Sequence, residues 1–188
     1  MRYFTPHEMK NTFKDEVSET IGRTVGKNVQ HGFAEEIFLE YAMKLPIIKD
    51  AKILDLGTAK GEFLHQLNNA GFTNLYAHDI GDYLPADARP VVLEFKTADL
   101  NTDKLPWLDN TFDVVTAWCI IPHLENPFFC GREVRRVLKP GGMFIFTTPY
   151  LFSKPAVKTF LKTKNFGRFN PENNHIAVLT ENVLKKTI

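Results

Sequence analysis

Apolar residues recur along this chain with two different periods, and the change from one to the other marks its organisation. Phe33, Ile37, Phe38, Tyr41 and Leu45 follow each other at helical spacing up to the break at Pro46, which predicts an amphipathic helix. Ahead of it, Thr5-Pro6-His7-Glu8 reads as a capping box that opens a first helix to about Thr20, and Gly22 to Gly32 is a loop with glycines at 22, 26 and 32. From Ala51 the pattern shortens. Ala51 to Leu56 is an apolar run, followed by a glycine-containing turn and then by Phe63, Leu64 and Leu67 on a helix that Gly71 ends. Further strands are predicted over Asn74 to Asp79, Val91 to Phe95 and Phe112 to Ile121, the last β-branched and apolar enough to be buried on both faces. Asn126-Pro127 caps a helix through Leu138, Pro140-Gly141-Gly142 breaks it, and Met143 to Thr148 is a fifth strand. Strands alternating with helices predict an α/β fold with a doubly wound, mainly parallel sheet in one domain over 1–188. Its parts are N-terminal helices over 1–46, a core over 47–150 and a basic helical segment over 151–188.

Composition excludes classes rather than choosing one. With 188 residues, 44% hydrophobic and 24% charged, the chain can bury a core, so disorder, collagen and coiled-coil readings fail. The formal charge of +1 gives no global field for nucleic acid, which makes that partner unexpected. It hides a polarity, since Ser153 to Ile188 holds seven Lys or Arg against two Glu. That tail reads as a solvated helical surface or as a patch attracting an anionic substrate. Cys119 and Cys130 are too few for a disulfide scaffold and suit a reducing compartment. Charges throughout Met1 to Val17 exclude a signal peptide, and the uncharged stretch Pro140 to Ser153 is shorter than the roughly 18 residues of a membrane helix. A cytoplasmic protein with no membrane partner is expected. No two histidines or cysteines show metal-ligand spacing, so no metal site is expected.

The segment Ile53-Leu-Asp-Leu-Gly-Thr-Ala-Lys-Gly-Glu-Phe63 carries the chemistry. A buried strand there ends in a turn with small residues at 57, 59 and 61, so that backbone can approach a ligand at a helix N-terminus. A dinucleotide fingerprint would need a third small residue where Glu62 stands, and no Gly-Lys-Ser/Thr ending supports a phosphate-cradling loop. The spacing D-x-G-x-x-x-G after an apolar strand instead resembles motif I of class I S-adenosylmethionine-dependent methyltransferases of the type 11 kind. Later segments are similar in order: Asp79 at the end of the second strand, Ala98-Asp99-Leu100, the block Leu105 to Val115 (LPWLDNTFDVV), and Glu133-Val-Arg-Arg-Val-Leu-Lys-Pro-Gly-Gly142. The likeness covers about Lys52 to Pro149. It departs from the family at Ala59, where a middle glycine is usual.

The resemblance implies a Rossmann-like sheet and S-adenosylmethionine as cofactor, with S-adenosylhomocysteine as product. Carried onto this chain, it implies cofactor contacts from Asp55, Gly57, Thr58, Ala59, Gly61, Asp79, Ile80, Asp99, Leu100 and Trp118. Spacing agrees, because Asp79 lies 22 residues past Gly57, close to the roughly 20 at which an acid reaches a ribose diol. Asp55 has a structural alternative as a cap of the turn, and Asp113, starting the fourth strand away from the cofactor, is structural. His123, after the fourth strand, is the candidate catalytic base, with the alternative that it holds its loop. His65 and His78 are structural or surface residues, and His31 is an early-loop residue or, alternatively, part of an N-terminal lid. His175 stands in a stretch resembling the one before the family's last helix, which can line the acceptor site. The expected reaction is methyl transfer to an oxygen or nitrogen of a small-molecule acceptor. The alternatives are an inactive cofactor-binding partner subunit and a nucleic-acid methyltransferase, although Ile120-Ile-Pro-His123 stands where the latter has Asn-Pro-Pro-Tyr. The family's closing hairpin has no counterpart, so either the chain is truncated or a partner, such as a second copy, covers the sheet edge.

Overall fold

The computed structural model describes residues 47–169 and 174–187, and the expected N-terminal helices and lid histidine His31 lie outside them. Five strands form one sheet: β1 Ile53–Leu56, β2 Leu75–Asp79, β3 Glu94–Thr97, β4 Phe112–Ala117 and β5 Leu138–Phe146. Their order is β3-β2-β1-β4-β5 and every pairing is parallel. Helix α1 (Glu62–Asn69) follows β1, α2 (Pro127–Val137) follows β4, and α3 (Lys154–Thr163) and α4 (Glu181–Thr187) follow β5. This is the expected doubly wound α/β sheet, with its order reversing between β1 and β4. Among the described residues no strand pairs with the outer edge of β5.

Strand side chains alternate between the two faces, so one sheet divides the core in two. Ile53, Leu75, Ala77 and Val114 pack under α1 with Phe63, Leu64 and Leu67. Leu54, Leu56, Val115 and Ala117 pack on the other face with Val134 and Val137 of α2, Trp107 and Phe112. All four residues of β1 are buried, which is why its sequence, Asp55 apart, is apolar rather than alternating. Each such fully buried Leu, Ile or Phe contributes about 1.5–3 kcal/mol.

Several expected boundaries shift. Pro90 sits in a 3-10 turn over Arg89–Val91, so β3 begins at Glu94, paired with Tyr76, instead of at Val91. β4 ends at Ala117, because Cys119 adopts a left-handed φ of 57° and Ile121–His123 form a 3-10 turn around Pro122. α2 stops at Val137 and β5 starts at once, with Leu138 opposite Phe112. Pro140-Gly141-Gly142 is therefore not a linker between helix and strand. It is an irregularity within β5, after which Met143 pairs with Val114. Phe129 N–H donates to the Asn126 side chain, so the α2 cap is as expected.

One helical turn on α2 explains the spacing of Glu133 and Arg136. Arg136 Nη2 donates to Glu133 Oε2 at 2.6 Å and to the Leu105 carbonyl at 2.8 Å, and Nη1 donates to the Trp107 carbonyl at 2.8 Å and to Asp109 at 2.9 Å. Glu133 Oε2 in turn accepts from Leu105 N–H at 2.9 Å. The pair holds the long β3–β4 connection against α2. Asp113 is tied to Lys52 N–H and to Lys139, a structural role as expected. Arg136→Ala would leave Glu133 with only the Leu105 N–H and would take this donor from the Leu105 and Trp107 carbonyls, with an expected loss of about 2–3 kcal/mol, read as a lower urea midpoint. An unchanged midpoint would show that the network is only surface chemistry.

Candidate functional site

β1 delivers the chain into a turn of alternating left-handed residues: Gly57 at φ 70°, Ala59 at φ 48° and Gly61 at φ 78°. Thr58 between them is buried and fastens the turn. Its N–H donates to the His78 carbonyl at 2.9 Å, its hydroxyl to the Asp55 carbonyl at 2.9 Å, and its carbonyl accepts from Gly61 N–H at 2.9 Å. Ala59 therefore takes a conformation natural to glycine, which costs an L-residue about 1–2 kcal/mol. The compensation is visible: Ala59 N–H points at Asp79 Oδ2, 2.8 Å away, while Ile80 N–H reaches Oδ1 at 2.7 Å. The glycine at 57 has a packing reason as well. A Cβ built there would overlap the Ile120 side chain, with Ile120 Cγ1 at 2.7 Å.

Two carboxylates are buried at this rim. Asp55 is 3% exposed and accepts the Thr116 hydroxyl at 2.7 Å; burial, aided by the charge of Asp79, pushes its pKa up to about 7. Asp79 is 6% exposed, and burial raises its pKa against the lowering effect of the Ala59 and Ile80 N–H groups. Next to it, burial holds His78 near 4, so that histidine stays neutral.

Hydrogen bonds thus join Asp55, Thr58, Ala59, Asp79 and Ile80 into one cluster with Gly57 and Gly61 in its turn. Trp118 follows β4, its ring edge-on to Phe63 of α1 at 5.1 Å. Ala98 N–H donates to the Asp79 carbonyl at 3.2 Å, which brings the β3 loop alongside. Within that loop Asp99 Oδ1 accepts from Asn101 N–H at 3.0 Å, and Leu100 is buried with the core. His123 lies in the 3-10 turn that follows β4. Its ring lies 4.5 Å from that of His175, whose segment is strapped to the Pro122 carbonyl by Ile176 and Ala177 N–H. Burial and the neighbouring imidazole lower the His123 pKa to about 4. Its ordinary pKa made it suitable as a base, whereas this value leaves it a weak one at neutral pH.

Three contributors were missed by sequence reasoning. Thr116 is opposite Asp55 in the β1–β4 register, so a polar residue at that offset in a buried strand was the available signal. Ile120 covers Gly57, and Thr147 accepts from Cys119 N–H at 2.8 Å, holding the exit of β4. Neither follows from local pattern, because both depend on the left-handed turn at Cys119. Among the described residues, no three His, Cys, Asp or Glu side chains group as metal ligands, and no helix is long and apolar enough to cross a membrane.

The residues fit an S-adenosyl cofactor on the structure's own terms: an acid fixed by backbone N–H groups, and a left-handed turn beside it at the reversal of strand order. Comparison with known proteins points the same way. Residues 54–146 match the family model described as a methyltransferase domain. A ubiquinone/menaquinone biosynthesis C-methyltransferase of Pasteurella multocida is 30% identical over 130 residues, 65% of this chain and 47% of that protein. The 27-O-demethylrifamycin SV methyltransferase of Amycolatopsis mediterranei is 28% identical over 174 residues, 81% of this chain and 62% of that protein. The crystal structure of an S-adenosylmethionine-dependent methyltransferase from Mesorhizobium loti superposes with a TM-score of 0.53 at 27% identity, over 64% of this chain and 56% of that one. The chain spans less than half the length of the first curated relatives it matches.

Two outcomes are expected from the turn and its acid. Gly57→Ala should lose about 2–4 kcal/mol from strain and overlap, and adding Ile120→Ala should return the overlap part but not the φ part. Strict additivity of the two substitutions in a urea denaturation cycle would refute the contact. Because the folded-state pKa of Asp55 lies near 7, above its value of 3.8 in the unfolded chain, its contribution to stability is complete below about pH 4 and lost as pH rises to about 7. Asp55→Asn should therefore gain stability relative to the parent between pH 5 and pH 8, on the order of 3 kcal/mol. Equal pH slopes for the two proteins would refute the shift.

Proposed function

This chain belongs to the class I S-adenosylmethionine-dependent methyltransferase family, and on that premise we propose that it binds S-adenosylmethionine and transfers its methyl group to a small-molecule acceptor. The observation that carries the reading is the pair of buried acids, Asp55 and Asp79, at the carboxyl edge of the sheet. Burial raises the pKa of both carboxylates, with the Asp79 charge adding to the shift of Asp55, and a ligand with positive charge at this rim offsets the cost of ionising them. S-adenosylmethionine is such a ligand, with a sulfonium and an ammonium group, and when bound it supplies an already activated methyl.

The chain's own residues then divide the work. Asp79, its oxygens aimed by Ala59 and Ile80 N–H, accepts from the ribose hydroxyls, and an acid there disfavours a 2′-phosphate. Asp55 sets the negative potential under the turn formed by Gly57, Thr58, Ala59 and Gly61. Asp99 and Leu100 flank the adenine, and Trp118 supplies an apolar wall. His123, neutral at working pH, is the candidate proton acceptor and is also placed to hold the Pro122 loop against the 174–180 segment. The proposed acceptor atom is oxygen or nitrogen. A carbon acceptor is the second reading, favoured by the named C-methyltransferase among the relatives.

Calorimetry on this chain should show micromolar binding of S-adenosylmethionine and S-adenosylhomocysteine, absent for NAD and lost in Asp79→Ala. Affinity for S-adenosylmethionine should be higher at pH 8 than at pH 6 as Asp55 ionises, with that difference gone in Asp55→Asn. No measurable binding at either pH would overturn the proposal.

A further inference from the structure

The more covered positions of helix α3 are small residues, and its larger apolar ones stay open to solvent, Val157 and Phe160 to 37% and Leu161 further. Ala156 and Thr159 are its half-covered positions, Thr159 lying against Gly167. Val157, Phe160 and Leu161 are exposed, Leu161 to 64%, and the chain leading into the helix adds exposed Tyr150 and Phe152. No residue of the helix is buried. Its ends are specified locally instead, by Ser153 accepting Ala156 N–H, by Pro155 in the first turn and by Lys164 in a left-handed C-cap at φ 60°. The apolar stripe is thus not what holds the helix in place.

At 100° per residue Val157, Phe160 and Leu161 make one stripe, and Lys154, Lys158 and Lys162, all exposed, make the stripe beside it. Phe166 stacks on Phe160 at 4.8 Å and widens the apolar side. From Val134 to Pro171 the sequence holds no Asp or Glu, while Lys154, Lys158, Lys162, Lys164 and Arg168 follow in close succession. A short helix with an aromatic and aliphatic face, a flanking lysine row and no acid has the composition of an interfacial helix on anionic lipid.

We propose that α3, with Tyr150 and Phe152, is a docking surface for an anionic lipid bilayer. The apolar stripe enters the headgroup boundary, and the lysines, whose stems lie along that stripe, carry their ammonium groups to lipid phosphates. A second copy of this chain is a poorer occupant, because two such faces would bring like-charged lysine rows together with no acid between them. The inference revises the expectation of no membrane partner, which rested on spanning segments, and it stands independently of the methyl-transfer reading.

The test is co-sedimentation of the full chain with vesicles of phosphatidylcholine alone or with added phosphatidylglycerol. Binding is expected for the anionic vesicles only and should weaken as salt is raised. Lys154→Glu/Lys158→Glu/Lys162→Glu and, separately, Phe152→Ser/Leu161→Ser should each reduce it by at least about tenfold. Both variants should keep the parent's melting curve and its affinity for S-adenosylmethionine, since none of these side chains is buried. Absence of binding to anionic vesicles, equal binding to both kinds, binding untouched by both variants, or concentration-dependent self-association abolished by Phe152→Ser/Leu161→Ser would overturn the proposal.

Discussion

The parallel register of β1 on β4 is the constraint from which the candidate site follows. Asp55 stands opposite Thr116 and Leu56 opposite Ala117, so the two central strands end level with each other. Because the order of strands reverses between them, the chain leaves β1 toward one side and β4 toward the other, and a crevice opens above both ends. Whatever follows each strand must then face the other. Gly57 follows β1, and Trp118, Cys119 and Ile120 follow β4, which is why Ile120 covers Gly57 although 63 positions separate them in sequence. The Thr116 hydroxyl on Asp55 ties the same two strands one register pair before their ends.

Above that layer the turn and the acids determine one another. Ala59 must be left-handed for its N–H to reach Asp79, and Asp79 must be ionised to reward that geometry fully. Burial opposes ionisation, and the backbone N–H groups of Ala59 and Ile80 oppose burial. Asp55, bonded by the Thr116 and Thr58 hydroxyls but by no such pair of backbone N–H groups, stays with a pKa near 7. The rim therefore holds one carboxylate aimed by backbone and one whose charge depends on pH close to neutrality. An apolar core would not retain such a pair for stability alone, since isosteric neutral residues would remove the desolvation cost.

Periodicity and turn chemistry made the central architecture legible. The buried run of β1, the glycine stop after α1 and the Asn126 cap of α2 each act through neighbours a few residues away, and each appears where the sequence places it. The spacing from Gly57 to Asp79 was legible for the same reason, because one βαβ unit fixes it. The exit of β4 was not. Cys119 gives no local sign of a positive φ, and the hydrogen bond that stabilises it comes from Thr147, 28 positions away. Pro140-Gly141-Gly142 misled for the opposite reason. Those residues punctuate a chain locally, but here the pairing of Leu138 with Phe112 holds the strand on both sides of them. His123 shows the same limit for chemistry, since its usefulness as a base is set by burial and by His175, which no spacing rule reaches.

The near-zero net charge conceals a division of labour that only the placement of residues makes physical. Ahead of Ser153 acids outnumber bases, and the structure puts Asp55, Asp79 and Asp99 at or beside the carboxyl edge of the sheet. After it, the lysines of α3 lie exposed along an apolar stripe that the core does not use. Attraction between exposed charges fades over about 10 Å at moderate salt, so each surface recruits by its own local sign rather than by the sum. On the proposed readings the acidic rim would draw a cationic cofactor and the lysine row of α3 an anionic surface, with no acid in the sequence from Val134 to Pro171 to oppose the latter.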